Sequence, residues 1–152
     1  MRELHERGVK CAIASSSYRE LIDELVEIAG IADVLDYTIS GHECSAFKPD
    51  PEIYLRAMEA LGVEPAECLV IEDSPLGIEA GKRSGARVLA LRPHEGVNLD
   101  QSAADTIIDN LTDILPASLG TRFILAGFIW ANADRRGGAT PPRGGLLTEK
   151  TK

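Results

Sequence analysis

The fold of this chain is decided at residues 69–75, which read LVIEDSP. Leu69, Val70 and Ile71 form a short apolar run rich in β-branched residues, which is typical of a buried strand. Two carboxylates follow directly, and Ser-Pro is a common helix start because proline needs no N–H partner in the first helical turn. A buried strand that runs through polar residues straight into a helix predicts one unit of a parallel α/β sheet.

The same alternation of apolar runs and amphipathic helices extends in both directions from this stretch. Ser17 and Glu20 form a Ser-x-x-Glu pattern, which predicts a capping box at one helix start. Pro51 favours a second helix start, and Gly30 and Gly62 favour the ends of these two helices. We therefore predict an α/β fold with a parallel sheet. Its other strands are predicted at residues 9–14, 37–40, 88–91 and, at an edge, 106–108.

Composition and charge restrict the classes of protein to which the chain can belong. The chain has 152 residues and a formal net charge of -8, which argues against a nucleic-acid partner because phosphate backbones need positive counter-surfaces. Its apolar runs are shorter than the roughly 20 residues that span a bilayer, so we expect no membrane partner. Three cysteines without CxxC spacing are expected to be reduced thiols. We predict a cytoplasmic location and leave the oligomeric state open.

The charge is divided unevenly and defines two regions. Residues 1–119 hold 10 Lys/Arg and 22 Asp/Glu, whereas residues 120–152 hold 6 and 2. The first region is expected to be the folded body. The second is a basic tail with Gly-Gly and Pro-Pro pairs, and we expect it to be disordered after about residue 131.

Three polar clusters follow strands of the predicted sheet: residues 15–17 (SSS), Lys48, and the pair Glu72 and Asp73. Since ligands bind outside the carboxyl ends of the strands in an open parallel sheet, we expect these clusters to lie close together. Each cluster also has a simpler interpretation. Serines before a helix are usually caps, a lysine is usually solvated, and Asp73 is well placed to cap the helix that follows it.

The functional interpretation of the same clusters is a site for an anion and a hard cation. The Ser15 hydroxyl and the Ser16 backbone N–H lie at a helix N-terminus, where anions bind. Lys48 would pair with such an anion. Glu72 and Asp73 offer oxygen ligands to Mg²⁺, which needs only one or two carboxylates because it keeps several waters.

Taken together and in this order, the clusters resemble a known family. Residues 12–17 (AIASSS), 47–54 (FKPDPEIY) and 70–80 (VIEDSPLGIEA) are similar to motifs two, three and four of the haloacid-dehalogenase-like hydrolases. The similarity is to the β-phosphoglucomutase-like and phosphoglycolate-phosphatase-like branch, and it extends over about residues 1–116. It implies a Rossmann-like three-layer sandwich and a Mg²⁺-dependent phosphatase or phosphomutase for a small phosphorylated metabolite.

The resemblance also implies a role for each site residue. Ser15 would hydrogen-bond the transferring phosphoryl group, with the Ser16 backbone amide assisting. Lys48 would neutralise the phosphate and the attacking carboxylate, so that Lys48 and Ser15 are the expected catalytic residues. Asp73 would bind Mg²⁺, with Glu72 as a direct or outer partner. These roles agree with phosphoryl transfer being mainly positioning and charge neutralisation.

The family's first motif is missing from the chain. This motif is an Asp-x-Asp run at the end of the central strand, and it supplies the nucleophile and the general acid/base. The 152 residues contain no Asp-x-Asp, and the helical cap that follows this motif in the family is missing as well. We therefore expect a truncated, incomplete core that lacks its central strand and is inactive alone. Residues 123–130 (FILAGFIW) are an alternative occupant of the vacant position.

Three functions stay open from the sequence. The first is an enzyme that becomes complete only with its missing part. The second is a non-catalytic fragment that binds phosphate or metal, and the third is a piece that needs a partner chain.

Overall fold

The computed structural model describes residues 1–114. The predicted boundary at residue 119, the basic tail and residues 123–130 lie outside this part. None of the described helices is long and apolar enough to cross a membrane. The helices and strands are α1 (Arg2–Glu6), β1 (Ala12–Ser15), α2 (Arg19–Ala29), β2 (Tyr37–Ser40), α3 (Glu52–Leu61), β3 (Leu69–Glu72), α4 (Pro75–Arg83), β4 (Arg87–Leu91) and β5 (Thr106–Ile108).

The strands pair in parallel and form two groups. β1 pairs with β2, and β3, β4 and β5 pair in that order. The five predicted strands are confirmed, although β1 begins at Ala12 and not at Val9. The reason is local: the Cys11 N–H donates to the Asp36 carboxylate at 2.8 Å and not to a neighbouring strand.

Helices cover both faces of the strands and bury two hydrophobic clusters. Alternate residues of β3 point to opposite faces, as the pleat of a strand requires. Val70 belongs to the cluster under α3 and α4, whereas Leu69 and Ile71 belong to the cluster that contains Leu4 of α1. Burial on both faces is characteristic of parallel sheets. The predicted three-layer α/β class is therefore confirmed.

The sheet is incomplete between β1 and β3. Among residues 1–114, no ladder hydrogen bond joins these two strands. Ala12 and Ala14 of β1 and Val70 of β3 are nevertheless 0% exposed and lie in the same hydrophobic cluster. The two strand groups thus share one core, although no strand within residues 1–114 joins β1 to β3.

Helix α2 begins differently from the prediction. Tyr18 occupies the N-cap position and makes no side-chain cap hydrogen bond, so the capping box of Ser17 and Glu20 is wrong. The Ser17 N–H instead donates to the Ser15 hydroxyl oxygen at 3.2 Å. The Ser17 carbonyl accepts a 2.5 Å hydrogen bond from the buried Ser40 hydroxyl. These two bonds fix Ser17 in the turn that precedes the helix.

The other helix boundaries lie close to their predicted positions. Gly30 and Gly62 end α2 and α3 in the left-handed conformation, with φ of 61° and 63°. Helix α3 begins one residue later than predicted, because Pro51 is its N-cap residue. The Asp50 carboxylate accepts the Glu52 N–H at 2.9 Å, which satisfies one free donor of the first turn.

Candidate functional site

A cavity of about 220 Å³ opens at the carboxyl ends of β1 and β3. The five predicted site residues all line it, which agrees with the rule that ligand sites of parallel sheets lie at this edge. Two come from the end of β1, two from the end of β3, and one from the loop before α3. The lining residues are Ala14, Ser15, Ser16, Lys48, Glu72, Asp73 and Ser74.

Glu72 is the centre of the hydrogen-bond network behind this cavity. It is 3% exposed, and burying a carboxylate is costly unless it is paired and hydrogen-bonded. One carboxylate oxygen accepts from the Lys48 ammonium and from the Tyr54 hydroxyl, both at 2.5 Å. The other accepts from the Ser74 hydroxyl at 3.1 Å and from the Asp73 N–H at 3.3 Å. Both oxygens are therefore engaged by protein groups.

Gly77 makes room for the Glu72 carboxylate at the start of α4. A Cβ on Gly77 would lie 2.0 Å from the Glu72 carboxyl carbon and 2.1 Å from its nearer oxygen. Ser74, and not Asp73, caps the same helix, and its hydroxyl accepts the Gly77 N–H at 3.1 Å. The carboxylate thus lies against the positive end of the helix dipole, a position that favours a negative charge.

Lys48 connects the two strand groups across the gap. Its side chain is 9% exposed, so the interpretation as a solvated surface lysine is wrong. Besides its ion pair with Glu72, the ammonium donates to the Ala14 carbonyl of β1 at 3.3 Å. It also lies 4.8 Å from the centroid of the Tyr54 ring, within the range of a cation–π contact. A single cation is thereby held between the ends of β1 and β3.

Tyr54 is a site residue that the sequence reasoning missed. Its side chain is 0% exposed, and its hydroxyl donates to Glu72. Burial, followed by the negative charge of Glu72, raises the pKa of Tyr54 well above its ordinary value, so the phenol remains a neutral donor. The buried face of α3 runs through Tyr54, Met58 and Leu61. The spacing of these three residues at i, i+4 and i+7 was the available signal.

The two serines present different groups to the cavity. Ser15 is 5% exposed, and its hydroxyl oxygen accepts the Ser17 N–H. Ser16 is exposed and follows in the turn. Because a serine hydroxyl carries one donor in addition to its acceptor lone pairs, Ser15 can donate to an anion while it accepts from Ser17.

Asp73 is the remaining carboxylate on the cavity wall. Burial raises the pKa of Asp73 above its ordinary value, and the neighbouring charge of Glu72 raises it further. Both effects disfavour a negative charge, and a cation at this wall would relieve them. Among residues 1–114 no cluster of three or more His, Cys, Asp or Glu is arranged to hold a metal. Mg²⁺ needs only one or two carboxylates beside water and phosphate, so Asp73 fits it, with Glu72 further out.

The family comparison agrees with a parallel α/β core that carries polar clusters at its strand ends. The family model described as haloacid dehalogenase-like hydrolase matches residues 1–85. This is more than half of the chain. The chain therefore belongs to the haloacid-dehalogenase-like hydrolases.

Individual relatives place the chain in the branch that the motifs predicted. Protein CbbY of Rhodobacter capsulatus is 37% identical over 109 residues, which are 69% of this chain and 48% of CbbY. The phosphoglycolate phosphatase of Aquifex aeolicus is 30% identical over 115 residues, which are 76% of this chain and 54% of that protein. The structure of β-phosphoglucomutase from Clostridium difficile superimposes with a TM-score of 0.64 and 25% identity, covering 76% of this chain and 49% of the enzyme.

The chain spans about half the length of these relatives. The predicted incompleteness of the core is in keeping with this coverage and with the gap between β1 and β3. The family, the branch and the fold class are thereby established for the chain.

Proposed function

We propose that this chain supplies the phosphate- and magnesium-binding half of a phosphoryl-transfer enzyme. The reaction would be that of a phosphatase or phosphomutase on a small phosphorylated metabolite. The observation that carries the proposal is one cavity that combines a buried lysine ammonium, two serines and two carboxylates at the strand ends. Phosphoryl transfer requires such positioned donors and cations. The names of the phosphoglycolate phosphatase and β-phosphoglucomutase relatives support the reaction class.

Each residue has a role that its surroundings support. The Ser15 hydroxyl and the Ser16 backbone N–H bind phosphoryl oxygens at the end of β1. Lys48 neutralises their charge and that of the attacking carboxylate. One Glu72 carboxylate oxygen accepts 2.5 Å hydrogen bonds from both the Lys48 ammonium and the Tyr54 hydroxyl. Glu72 thereby holds the ammonium in place, and Tyr54 helps to fix the Glu72 carboxylate. This pre-organisation stabilises charge in the transition state without reorganisation during the reaction.

Asp73 is the residue proposed to hold Mg²⁺. Bound Mg²⁺ would neutralise negative charge on the phosphoryl oxygens, which is the usual contribution of a metal ion in this chemistry. Glu72 is engaged by Lys48, Tyr54 and Ser74. It therefore acts by placing Asp73 and Lys48, and a direct bond from Glu72 to the metal would cost one of these contacts.

The 152 residues carry no Asp-x-Asp, so we propose that the chain alone does not turn over a phosphate ester. The nucleophile has to come from a polypeptide stretch outside this sequence. Binding of phosphate, in contrast, depends on the residues that are present.

Phosphate binding therefore tests the proposal. Inorganic phosphate is titrated into the full chain with Mg²⁺ by calorimetry, and Lys48→Met is compared with Lys82→Met, which removes an exposed lysine paired with Asp105. Loss of a charge-assisted hydrogen bond should weaken binding about tenfold or more for Lys48→Met, and Lys82→Met should bind like the parent. Ser15→Ala should also weaken binding. Equal effects of both lysine variants, or no binding by the parent, would refute the proposal.

A second candidate function is a piece that needs a partner chain. The observation in its favour is the pair of buried strands β1 and β3, which share a core without a ladder hydrogen bond between them among residues 1–114. Buried backbone groups need hydrogen-bond partners. We expect hydrolysis of p-nitrophenyl phosphate only after the chain is mixed with a polypeptide that carries an apolar strand ending in Asp-x-Asp. Turnover by the chain alone, abolished by Asp73→Ala, would contradict this.

A further inference from the structure

Three exposed rings form a continuous stack beside the candidate site. Tyr18 and His42 are stacked with a centroid distance of 4.0 Å and an interplanar angle of 12°. The Phe47 ring lies edge-on to the His42 ring, with a centroid distance of 5.0 Å and an interplanar angle of 79°. We refer to Tyr18, His42 and Phe47 as the aromatic stack. The stack joins the start of α2 to the loop that leads to Lys48.

The aromatic stack lies next to residues that line the cavity, although none of its three residues is itself part of the lining. Phe47 directly precedes Lys48, and Tyr18 follows the Ser15–Ser16 turn, so both flank cavity-lining residues in the sequence. Gly41 shows that they are also close in space. A Cβ on Gly41 would lie 3.3 Å from the Phe47 ring and 3.3 Å from the Cα of Ser16. Phe47 thus packs over Gly41 next to the serine turn.

The rings of the aromatic stack are open to solvent. Tyr18 is 65% exposed and Phe47 is 52% exposed. Single exposed apolar residues are ordinary, but a contiguous exposed group beside a polar cavity is characteristic of a ligand site. The stack therefore offers exposed ring surface next to the turn that lines the cavity.

Two charged side chains close to the aromatic stack in the sequence, those of Arg19 and Glu52, are already hydrogen-bonded. Arg19 donates to Glu43 at 2.7 Å and to the Thr38 hydroxyl at 2.7 Å. The Glu52 carboxylate accepts the backbone N–H of Ser45 at 2.8 Å. A ligand with many hydroxyl groups would have to compete with these bonds, whereas a flat ring requires only contact with ring faces and edges.

We propose that the site favours phosphate monoesters whose organic part is a planar unsaturated ring. The phosphate would lie in the cavity between Ser15 and Lys48, and the ring would extend the aromatic stack at Tyr18 or Phe47. This inference rests on the proposed phosphate site and adds a substrate class to it. Stacking of a ring on an aromatic side chain contributes about 1–3 kcal/mol, which corresponds to roughly fivefold to 150-fold in affinity.

The test compares three probes on the full chain in the presence of Mg²⁺: phenyl phosphate, glucose 6-phosphate and inorganic phosphate. We expect phenyl phosphate to bind at least about fivefold more tightly than either other probe. Phe47→Ala and Tyr18→Ala should remove most of this preference and leave the affinity for inorganic phosphate unchanged. Phe47→Trp should keep it. Ile28→Ala is the control, because Ile28 is 75% exposed near the other end of α2.

The outcomes separate this inference from the proposed function. If no probe binds, the phosphate site itself is refuted. If inorganic phosphate binds but phenyl phosphate binds no more tightly, the phosphate site stands and the ring preference is refuted. The preference is also refuted if glucose 6-phosphate equals phenyl phosphate, or if both alanine variants retain the preference as Ile28→Ala does.

Discussion

Replacing Lys48 by methionine should destabilise the protein by about 3 kcal/mol or more, the cost of leaving one member of a buried ion pair without its partner. The Lys48 side chain is 9% exposed and that of Glu72 is 3% exposed, so water from the cavity can replace the lost ammonium only in part. Methionine keeps most of the volume of the lysine side chain, so the loss reports the charge and not a cavity. Tyr54 and Ser74 still donate to Glu72 in the variant, so the loss of stability should lie near the lower end of the range known for broken buried ion pairs.

The assay is urea unfolding followed by far-ultraviolet circular dichroism for the parent, Lys48→Met, Glu72→Gln and the double variant. The two substitutions should be coupled by at least about 1 kcal/mol, because residues in one network are not additive. Lys82→Met is the matched control, since its exposed pair with Asp105 should be worth no more than about 1 kcal/mol. The reasoning is refuted if Lys48→Met unfolds within 1 kcal/mol of the parent or if the cycle shows no coupling.

Three further substitutions test the same network by unfolding. Gly77→Ala should destabilise by about 1–3 kcal/mol, because its Cβ would displace the Glu72 carboxylate; a neutral result would contradict the close approach. Tyr54→Phe should lower the free energy of unfolding by about 1 kcal/mol, because it removes one donor to Glu72. An unchanged free energy of unfolding would mean that this hydrogen bond contributes nothing to stability. Asp73→Asn should increase the free energy of unfolding at pH 7 without metal, because the pKa of Asp73 is raised in the folded protein. This gain should vanish as the pH falls toward about 4, the pKa of an aspartate in the unfolded chain, where the parent aspartate is also protonated. Mg²⁺ should raise the unfolding midpoint of the parent and not of Asp73→Asn, and the reverse would refute the metal assignment.

The sequence predicted the position of the site because it depends on the order of the elements. Each polar cluster follows a strand, and parallel strands bring their carboxyl ends to one edge. Ser15, Lys48 and Asp73 therefore line the same cavity. The class of the sheet followed from the same local pattern of short apolar runs, each followed by a helix.

The contacts within the site could not be predicted, because they depend on packing between distant elements. The ion pair of Lys48 with Glu72 joins residues 24 positions apart, and nothing in either local sequence indicates burial of the lysine. The predicted capping box at Ser17 is wrong for a similar reason. The hydroxyl of Ser40, 23 positions away, donates to the Ser17 carbonyl and holds Ser17 outside the helix. A helix start predicted from four consecutive residues cannot take a hydrogen bond to such a distant residue into account.

We propose that the cavity between β1 and β3 binds phosphate through the residues at the strand ends. The decisive experiment titrates inorganic phosphate into the ¹⁵N-labelled chain with Mg²⁺ and follows the amide signals. We expect saturable shifts confined to the residues around the cavity, with Ser16, Lys48 and Asp73 among the largest. In Lys48→Met these shifts should require about tenfold or more phosphate, and in Lys82→Met they should saturate as in the parent. Saturable shifts elsewhere, or no saturable shift at the cavity, would contradict it.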